Sequence, residues 1–373
     1  MKFVLAPDSF KESMTSKEAC DAMERGIKKV IKDAECIKVP MADGGEGTVE
    51  ALVWATNGSI LKVMVKGPLG NEVEAKFGML GDSKTAVIEM AEASGIGLVD
   101  RDKRNPMIST TYGTGQIIKK ALDLGAKRIV IGIGGSATND GGAGMIQALG
   151  GRLFDKDGNE LSFGGGELGK LSKIDISGLD KRLNDIDIEV ACDVTNPLCG
   201  EFGASHVFGP QKGATEEMVL ELDKNLEHYA EKIKEYLGKD IKDVEGAGAA
   251  GGLGAALLAF LDGKLKRGID IVIEHTKLEE KLEGADFLFT GEGSIDDQTI
   301  YGKTPMGVSV VAKAKEVKSI AFGGRVLEGS ENLYGIGINA IFSITPGVIT
   351  LDEALKDGSI NLERTVENVV RLL

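Results

Sequence analysis

Residues 2–6, KFVLA, form a short apolar run of the kind that fills a strand covered on both faces. Thr15 and Glu18 then make a capping box, and Ala19, Met23, Ile27, Val30 and Ile31 recur on one helical face. A second strand over 36–40 and a helix around 49–55 complete a β-α-β-α opening, the start of a parallel sheet. The pattern changes at 59–66 and 71–80, two extended runs joined by the turn signal GPLG. A strand within 84–90, a helix after TTYGTG, a strand at 129–133, a helix from about 141 to 149 and a strand at 188–194 follow. Met218, Leu222, Leu226, Tyr229, Ile233 and Leu237 mark an amphipathic helix over 215–237. The run 246–261 is helix-forming, but its glycines are too dense for a stable first turn, which is expected to be a place of close backbone approach. The β-α order then returns: strands at 285–290, 319–324 and 339–344, a helix from about Pro305, a capping box from Thr350 to Glu353, and a closing helix near 362–373. This order predicts an α/β fold of two domains. Residues 1–58 and 284–373, from the two chain ends, build one domain, and 59–283 form an inserted second one.

Length and composition narrow the picture. A chain of 373 residues exceeds what one core commonly serves, and 42% apolar residues are enough for two. The 52 glycines cluster after apolar strands, as tight βα turns require. A net charge of −14 argues against nucleic acid or an anionic membrane as partner, and obliges a site for an anionic substrate to supply local cations. The cysteines at 20, 36, 192 and 199 contain no CxxC, which points to a reduced compartment. The histidines at 206, 228 and 275 are too scattered for a zinc site. The N-terminal apolar run is too short for a signal peptide, and no run approaches the ~18 apolar residues of a membrane span, so a cytoplasmic protein is expected.

Candidate chemistry concentrates after the strands. At 128–151 a strand runs into Gly134, Gly135, Ser136, Ala137, Thr138, Asn139 and Asp140 before the glycines at 141 and 142. A glycine turn between strand and helix exposes backbone N–H groups suited to a phosphate or carboxylate. Five loops after apolar strands carry carboxylates: Asp8; Asp43 and Glu46; Asp140; Asp193; and Glu292, Asp296 and Asp297. Ligands of open α/β sheets bind outside the carboxyl ends of strands, and carboxylates at this density suit Mg²⁺. Lys11, Lys212, Lys303 and Arg325 are the cations of similar loops. A P-loop is excluded: Gly302-Lys303-Thr304 supplies its end, but Asp297 stands where its first glycine belongs. Gly132-x-Gly134-x-x-Ala137, with Asp155 about twenty residues on, matches a dinucleotide fingerprint and supports an alternative, an NAD-dependent oxidoreductase acting on a small hydroxy acid. No Gly-x-Ser-x-Gly elbow is present.

Longer motifs carry a family resemblance. The runs APDSFKESMTS (6–16), PMADGGEGT (40–48), IEMAEASGIGL (88–98), TTYGTGQII (110–118), GIGGSATNDGGAGMIQALGG (132–151), ACDVTNPLCG (191–200), FGPQKGA (208–214), GAGAAGGLGAA (246–256) and TGEGSIDDQTIYGKTPMGV (290–308) together resemble the type-I glycerate kinases of bacteria. The resemblance spans nearly the whole chain in order. It implies ATP- and Mg²⁺-dependent phosphorylation of D-glycerate, in most bacterial members to 2-phosphoglycerate. It also implies one Rossmann-like and one inserted α/β domain with the active site in the cleft. Within that frame Gly134, Gly135, Ser136, Thr138, Gly141, Gly142, Gly251 and Gly252 are candidates for holding ATP. Asp43, Asp193 and Glu292 are candidates for Mg²⁺, and Asp8, Ser9, Lys11, Asn196 and Arg325 for glycerate. Asp193 is the favoured base, with Asp43 and Asp297 as rivals, and Lys11 joins the catalytic set. A monomer and a homodimer are both left open.

Overall fold

The structure is a computed structural model describing residues 1–373, apart from the side chains of Gln298 and Tyr301. Its strands are β1 (Lys2–Leu5), β2 (Glu35–Lys38), β3 (Ser59–Lys66), β4 (Glu72–Met79), β5 (Thr85–Glu89), β6 (Arg128–Gly132), β7 (Arg152–Phe154), β8 (Lys173–Asp175), β9 (Asp187–Ala191), β10 (Lys264–Lys266), β11 (Phe287–Ile295), β12 (Lys318–Val326) and β13 (Ile338–Ser343). The chain divides into two compact units, 1–57 with 267–373, and 58–266.

In the first unit the order is β13-β12-β11-β1-β2, and every pairing is parallel. Phe3 stands in register with Phe287 and Leu5 with Phe289, while Phe322 pairs with Phe342. Ring contacts therefore run from Phe3 through Phe287 and Phe289 to Phe322 and Phe342. A chain with so few aromatics uses several of them in one ladder across this sheet. The helices Ser16–Lys28 and Gly358–Val370 cover it, contributing Ala19, Met23, Ile27, Leu362 and Val366 to the same core. The capping boxes at Thr15 and Thr350 form as the sequence predicts.

In the second unit the order is β10-β9-β6-β5-β4-β3. β10, β9, β6 and β5 run parallel, while β5–β4 and β4–β3 are antiparallel, the hairpin that the break in pattern at 59–80 announced. The long helix Glu216–Leu237 follows the expected stripe, burying Leu222, Leu226, Tyr229 and Ile233. Two helix starts differ from expectation. The helix after β6 begins at Ala143, because Gly141 (φ +61°) and Gly142 (φ +77°) lie in the left-handed region. The closing helix begins at Gly358, a turn before the expected start. In the helix Ala249–Leu261 the residues Ala250, Gly251 and Gly252 are non-helical, as the glycine density predicts.

The helix Gly268–Thr276 belongs to the first unit, where it packs on the helix Thr48–Ala55. The expected inner boundary near 284 lies beyond it. What draws it in is a close contact: a Cβ on Gly268 would stand 1.9 Å from the Asp43 carbonyl oxygen.

Gly26 gives a test of the first core. A Cβ there would lie 2.5 Å from the Glu363 carbonyl oxygen and 3.0 Å from Val366. Alanine gains about 1 kcal/mol of helix propensity over glycine, but overpacking costs roughly 1–3 kcal/mol. Gly26→Ala is expected to lower Tm; a higher Tm in a thermal melt would refute this packing of the two helices.

Candidate active site

In the first unit the parallel strands aim their carboxyl ends, and the loops behind them, toward one edge of the sheet. Asp8 follows β1, and its N–H is fixed on the Gly291 carbonyl of β11. One carboxylate oxygen accepts from the Ser9 N–H at 2.6 Å, the other from the Thr304 hydroxyl. Burial pushes Asp8 from 3.8 up to about 7, and the neighbouring Asp43 adds to this, while Thr304, Ser9 and Lys11 pull the other way. Asp43 sits in the loop after β2, where its Oδ1 accepts from the Gly45 N–H at 3.1 Å. That loop is backed by Gly268, so a helix far along the chain fixes where Asp43 stands.

Glu292 lies on β11 and accepts from the Thr299 hydroxyl at 3.0 Å. Burial pushes it from 4.5 up to about 7, against the pull of Lys303 and Thr299, with Asp8 and Asp296 raising it further. The Lys303 ammonium stands 3.8 Å from Glu292 and 3.5 Å from Asp296, on the cap of the helix Thr304–Ala314. Arg325 on β12 is in register with Ser294 and donates to its hydroxyl at 2.9 Å.

Asp8, Ser9, Lys11, Asp43, Glu292, Asp297 and Arg325 thus all belong to the first unit. The charge of Asp43 acts on Asp8 and that of Asp8 on Glu292, whereas Asp297 is exposed. Thr304, Thr299 and Gly268 were not among the expected site residues. Thr304 carried a usable signal, since it opens a helix beside Pro305 and directly after Lys303. Among the described residues, no group of three or more histidine, cysteine, aspartate or glutamate side chains is placed to hold a metal ion by itself. Mg²⁺ needs only one or two carboxylates when phosphate oxygens and water complete its shell, a donor type that the loop carboxylates of this unit supply.

The second unit holds the glycine turns. After β6 the turn is tied down from inside. The Gly135 carbonyl accepts from the Ile96 N–H, the Ala137 carbonyl from the Ser109 hydroxyl, and the Thr138 carbonyl from the Lys212 ammonium. Gly134 and Gly135 are exposed, and among the described residues their N–H groups have no partner. Gly141 and Gly142 are spent internally. The Gly141 N–H donates to the Gly251 carbonyl, and the Gly142 and Gly144 N–H groups to Asp140, which caps the short helix with its own carboxylate. The carboxyl of Asp140 therefore already occupies this helix start, and burial pushes it above its ordinary range. Gly251 and Gly252 serve as crossing points: a Cβ on Gly251 would lie 2.0 Å from the Thr138 carbonyl oxygen, and one on Gly252 would lie 2.8 Å from the Gly141 Cα. Ser136 and Thr138 are buried in the same turn. Asp193 is exposed just past β9. Asn196 uses its amide to donate to the Phe202 carbonyl at 2.8 Å, holding that loop together.

The family model for the glycerate kinase family matches residues 3–373. The chain belongs to the glycerate kinase family. It is 56% identical over 369 residues to the glycerate kinase of Bacillus subtilis (strain 168), covering 99% of this chain and 97% of that one. It is 54% identical over 373 residues to the glycerate 2-kinase of Escherichia coli (strain K12), covering 100% and 98%. A crystal structure from Salmonella typhimurium LT2, provisionally assigned as glycerate kinase 2, superposes with a TM-score of 0.93 at 52% identity, covering 100% of this chain and 98% of that one.

The oxidoreductase alternative falls with this membership, and the local structure gives the physical reason. The turn after β6 continues through Asp140 before any helix begins, so no helix opens within the fingerprint. Asp155 is occupied in a local turn, accepting from the Asp157 and Asn159 N–H groups. For a kinase of this family, among the described residues no helix is long and apolar enough to cross a membrane.

The two raised carboxyls set a pH dependence. In the unfolded chain Asp8 and Glu292 lose their protons near pH 4; in the folded one they keep them to about 7. Between these values the native state binds more protons than the unfolded one, so stability falls as pH rises through the window and levels off above it. Glu292→Gln is expected to raise Tm relative to wild type at pH 8, by about 3 °C or more, and to leave it unchanged near pH 4. A larger benefit at pH 4 than at pH 8 would contradict the assignment.

Proposed function

We propose that this protein transfers the γ-phosphoryl group of ATP to D-glycerate with Mg²⁺, giving 2-phosphoglycerate. The observation that carries the reading is the full-length likeness to a glycerate 2-kinase at 54% identity. The crowded carboxylates of the first unit and the open glycine turn of the second support it. Phosphoryl transfer asks little covalent chemistry of a protein; it asks for positioning and for neutralised charge. Asp43 and Glu292 would hold Mg²⁺, which when bound offsets the charge of the phosphate oxygens. Lys11, Lys303 and Arg325 supply the protein's own positive charge, and Asp8 and Ser9 offer hydrogen bonds to the hydroxyl groups of glycerate. The N–H groups of Gly134 and Gly135 receive phosphate oxygens of ATP. Asp193, exposed past the end of β9, takes the proton of the attacking hydroxyl. We assign the reaction to the cytoplasm, where ATP is at hand. Unbridged Cys20, Cys36, Cys192 and Cys199 suit that setting, and the net charge of −14 suits a small-molecule substrate better than nucleic acid.

The test is release of ADP from ATP, Mg²⁺ and D-glycerate, with the product examined by phosphorus NMR. Glycerate-dependent release and a phosphorus signal split by the single proton on C2 are expected. A signal split by the two protons of C3 would move the phosphate to the other hydroxyl, and no release from folded protein would sink the assignment. Asp193→Asn is expected to lower kcat by about a hundredfold or more while the fold is kept. Undiminished turnover would remove Asp193 as the base.

A further inference from the structure

Lys212 has no role in the mechanism above, yet it is 2% exposed, and among the described residues no other lysine or arginine is buried to that degree. It ends the short turn Pro210–Lys212. That turn is held against Arg104, whose guanidinium donates to the Gln211 carbonyl and whose own carbonyl lies where a Cβ on Gly213 (φ +91°) would clash. The Lys212 ammonium donates to the Thr138 carbonyl at 2.6 Å. Burial pushes it down to about 7, with the charge of Asp140 acting the other way.

Stability does not account for this lysine. The Thr111 N–H and hydroxyl and the Gly142 and Gly144 N–H groups already donate to Asp140, which burial still pushes up, and the ammonium of Lys212 makes its hydrogen bond to backbone instead. A buried ammonium is costly to desolvate, and an apolar side chain of similar volume commonly serves the fold as well or better. Two more buried atoms at the same place, Thr138 Oγ1 and Asn139 Oδ1, have no hydrogen-bond partner. A region so poorly satisfied is built for something other than fold stability.

What the lysine does is complete the tethering of the turn. With the Gly135, Ala137 and Thr138 carbonyls each drawn onto an inner donor, the turn keeps its acceptors inside and leaves the Gly134 and Gly135 N–H groups at the surface. Successive free N–H groups in a glycine turn form a concavity that receives anions. We propose that Lys212 is a positioning residue for nucleotide binding, tying back the Thr138 carbonyl so that the turn 134–138 presents its N–H groups to the phosphates of ATP. This rests on the reading of the protein as an ATP-dependent kinase.

The test titrates ATP with Mg²⁺ into the full-length wild type, Lys212→Met and Ser109→Ala by calorimetry, with Tm and glycerate kinetics measured alongside. Lys212→Met is expected to melt at or above the wild-type temperature, to bind ATP about tenfold more weakly or worse, and to keep its KM for glycerate within about threefold. Ser109→Ala, which frees the neighbouring Ala137 carbonyl, is expected to weaken ATP by about threefold. Wild-type ATP affinity in Lys212→Met overturns the inference, and so does an equal loss for ATP and glycerate, which would mark general damage. Should Lys212→Met fail to fold, Ser109→Ala decides alone, and unchanged ATP affinity there overturns the inference. A wild type that binds ATP but phosphorylates no glycerate sinks the glycerate reading and leaves this inference standing. A wild type that binds no ATP overturns both.

Discussion

Asp8 is crowded by like charge. Asp43 acts on it through its charge, it acts in the same way on Glu292, and the three lie on or just behind strands of the same parallel sheet. Parallel strands bring their carboxyl ends to one edge, so acidic residues from distant parts of the chain meet there without any local sequence signal. Left alone, such a cluster resists full ionisation, which is why burial and repulsion together hold Asp8 and Glu292 near neutrality. The rest of the site answers this constraint. Thr304 and Ser9 donate to Asp8, Thr299 donates to Glu292, and Lys303 stands between Glu292 and Asp296. A carboxylate pair kept short of cations by the chain itself is a place where an added divalent cation gains most.

The acidic half of this arrangement was legible in the sequence. Apolar runs identified the strands, and each loop behind them showed its carboxylate beside glycine or proline. Ser9 adjoins Asp8 and was legible, but the supports that reach in from distant chain were harder to read. Thr304 lies 296 residues from Asp8, and Gly268 reaches the Asp43 loop from a helix that the periodicity did not predict. The glycine turn after β6 stands where the sequence put it, but the helix behind it starts later than expected. The helix that follows it is short and already capped by Asp140, so its free N–H groups lie earlier, at Gly134 and Gly135.

The glycines themselves divide into two kinds, which sequence alone cannot separate. Gly268 is glycine because another backbone passes where a Cβ would be, and Gly251 and Gly252 add to such a crossing a left-handed φ of +68° and +90°. At Gly135 the nearest atom to such a Cβ is 3.6 Å away, an ordinary contact, and its φ of +72° is what favours glycine there. The first kind holds elements together; the second shapes a surface. A motif written only as spaced glycines mixes the two, and so the dinucleotide fingerprint at 132–137 matches in letters while the backbone does something else.

A chain of net charge −14 that handles anionic substrates faces an apparent contradiction, and the distances resolve it. At physiological ionic strength the Debye length is about 8 Å, so exposed carboxylates spread over the surface are largely screened from any one site. What a phosphate meets is decided within a few ångströms. In the first unit the near field is set by Asp8, Asp43, Glu292 and Asp296 together with Lys11 and Lys303. In the second it is set by neutral N–H groups whose carbonyls are turned inward, with Lys212 and the capping carboxylate of Asp140 buried behind them. The glycine turn thus keeps free N–H groups at the surface, whereas in the first unit burial and like charge keep two carboxyls from ionising in their ordinary range.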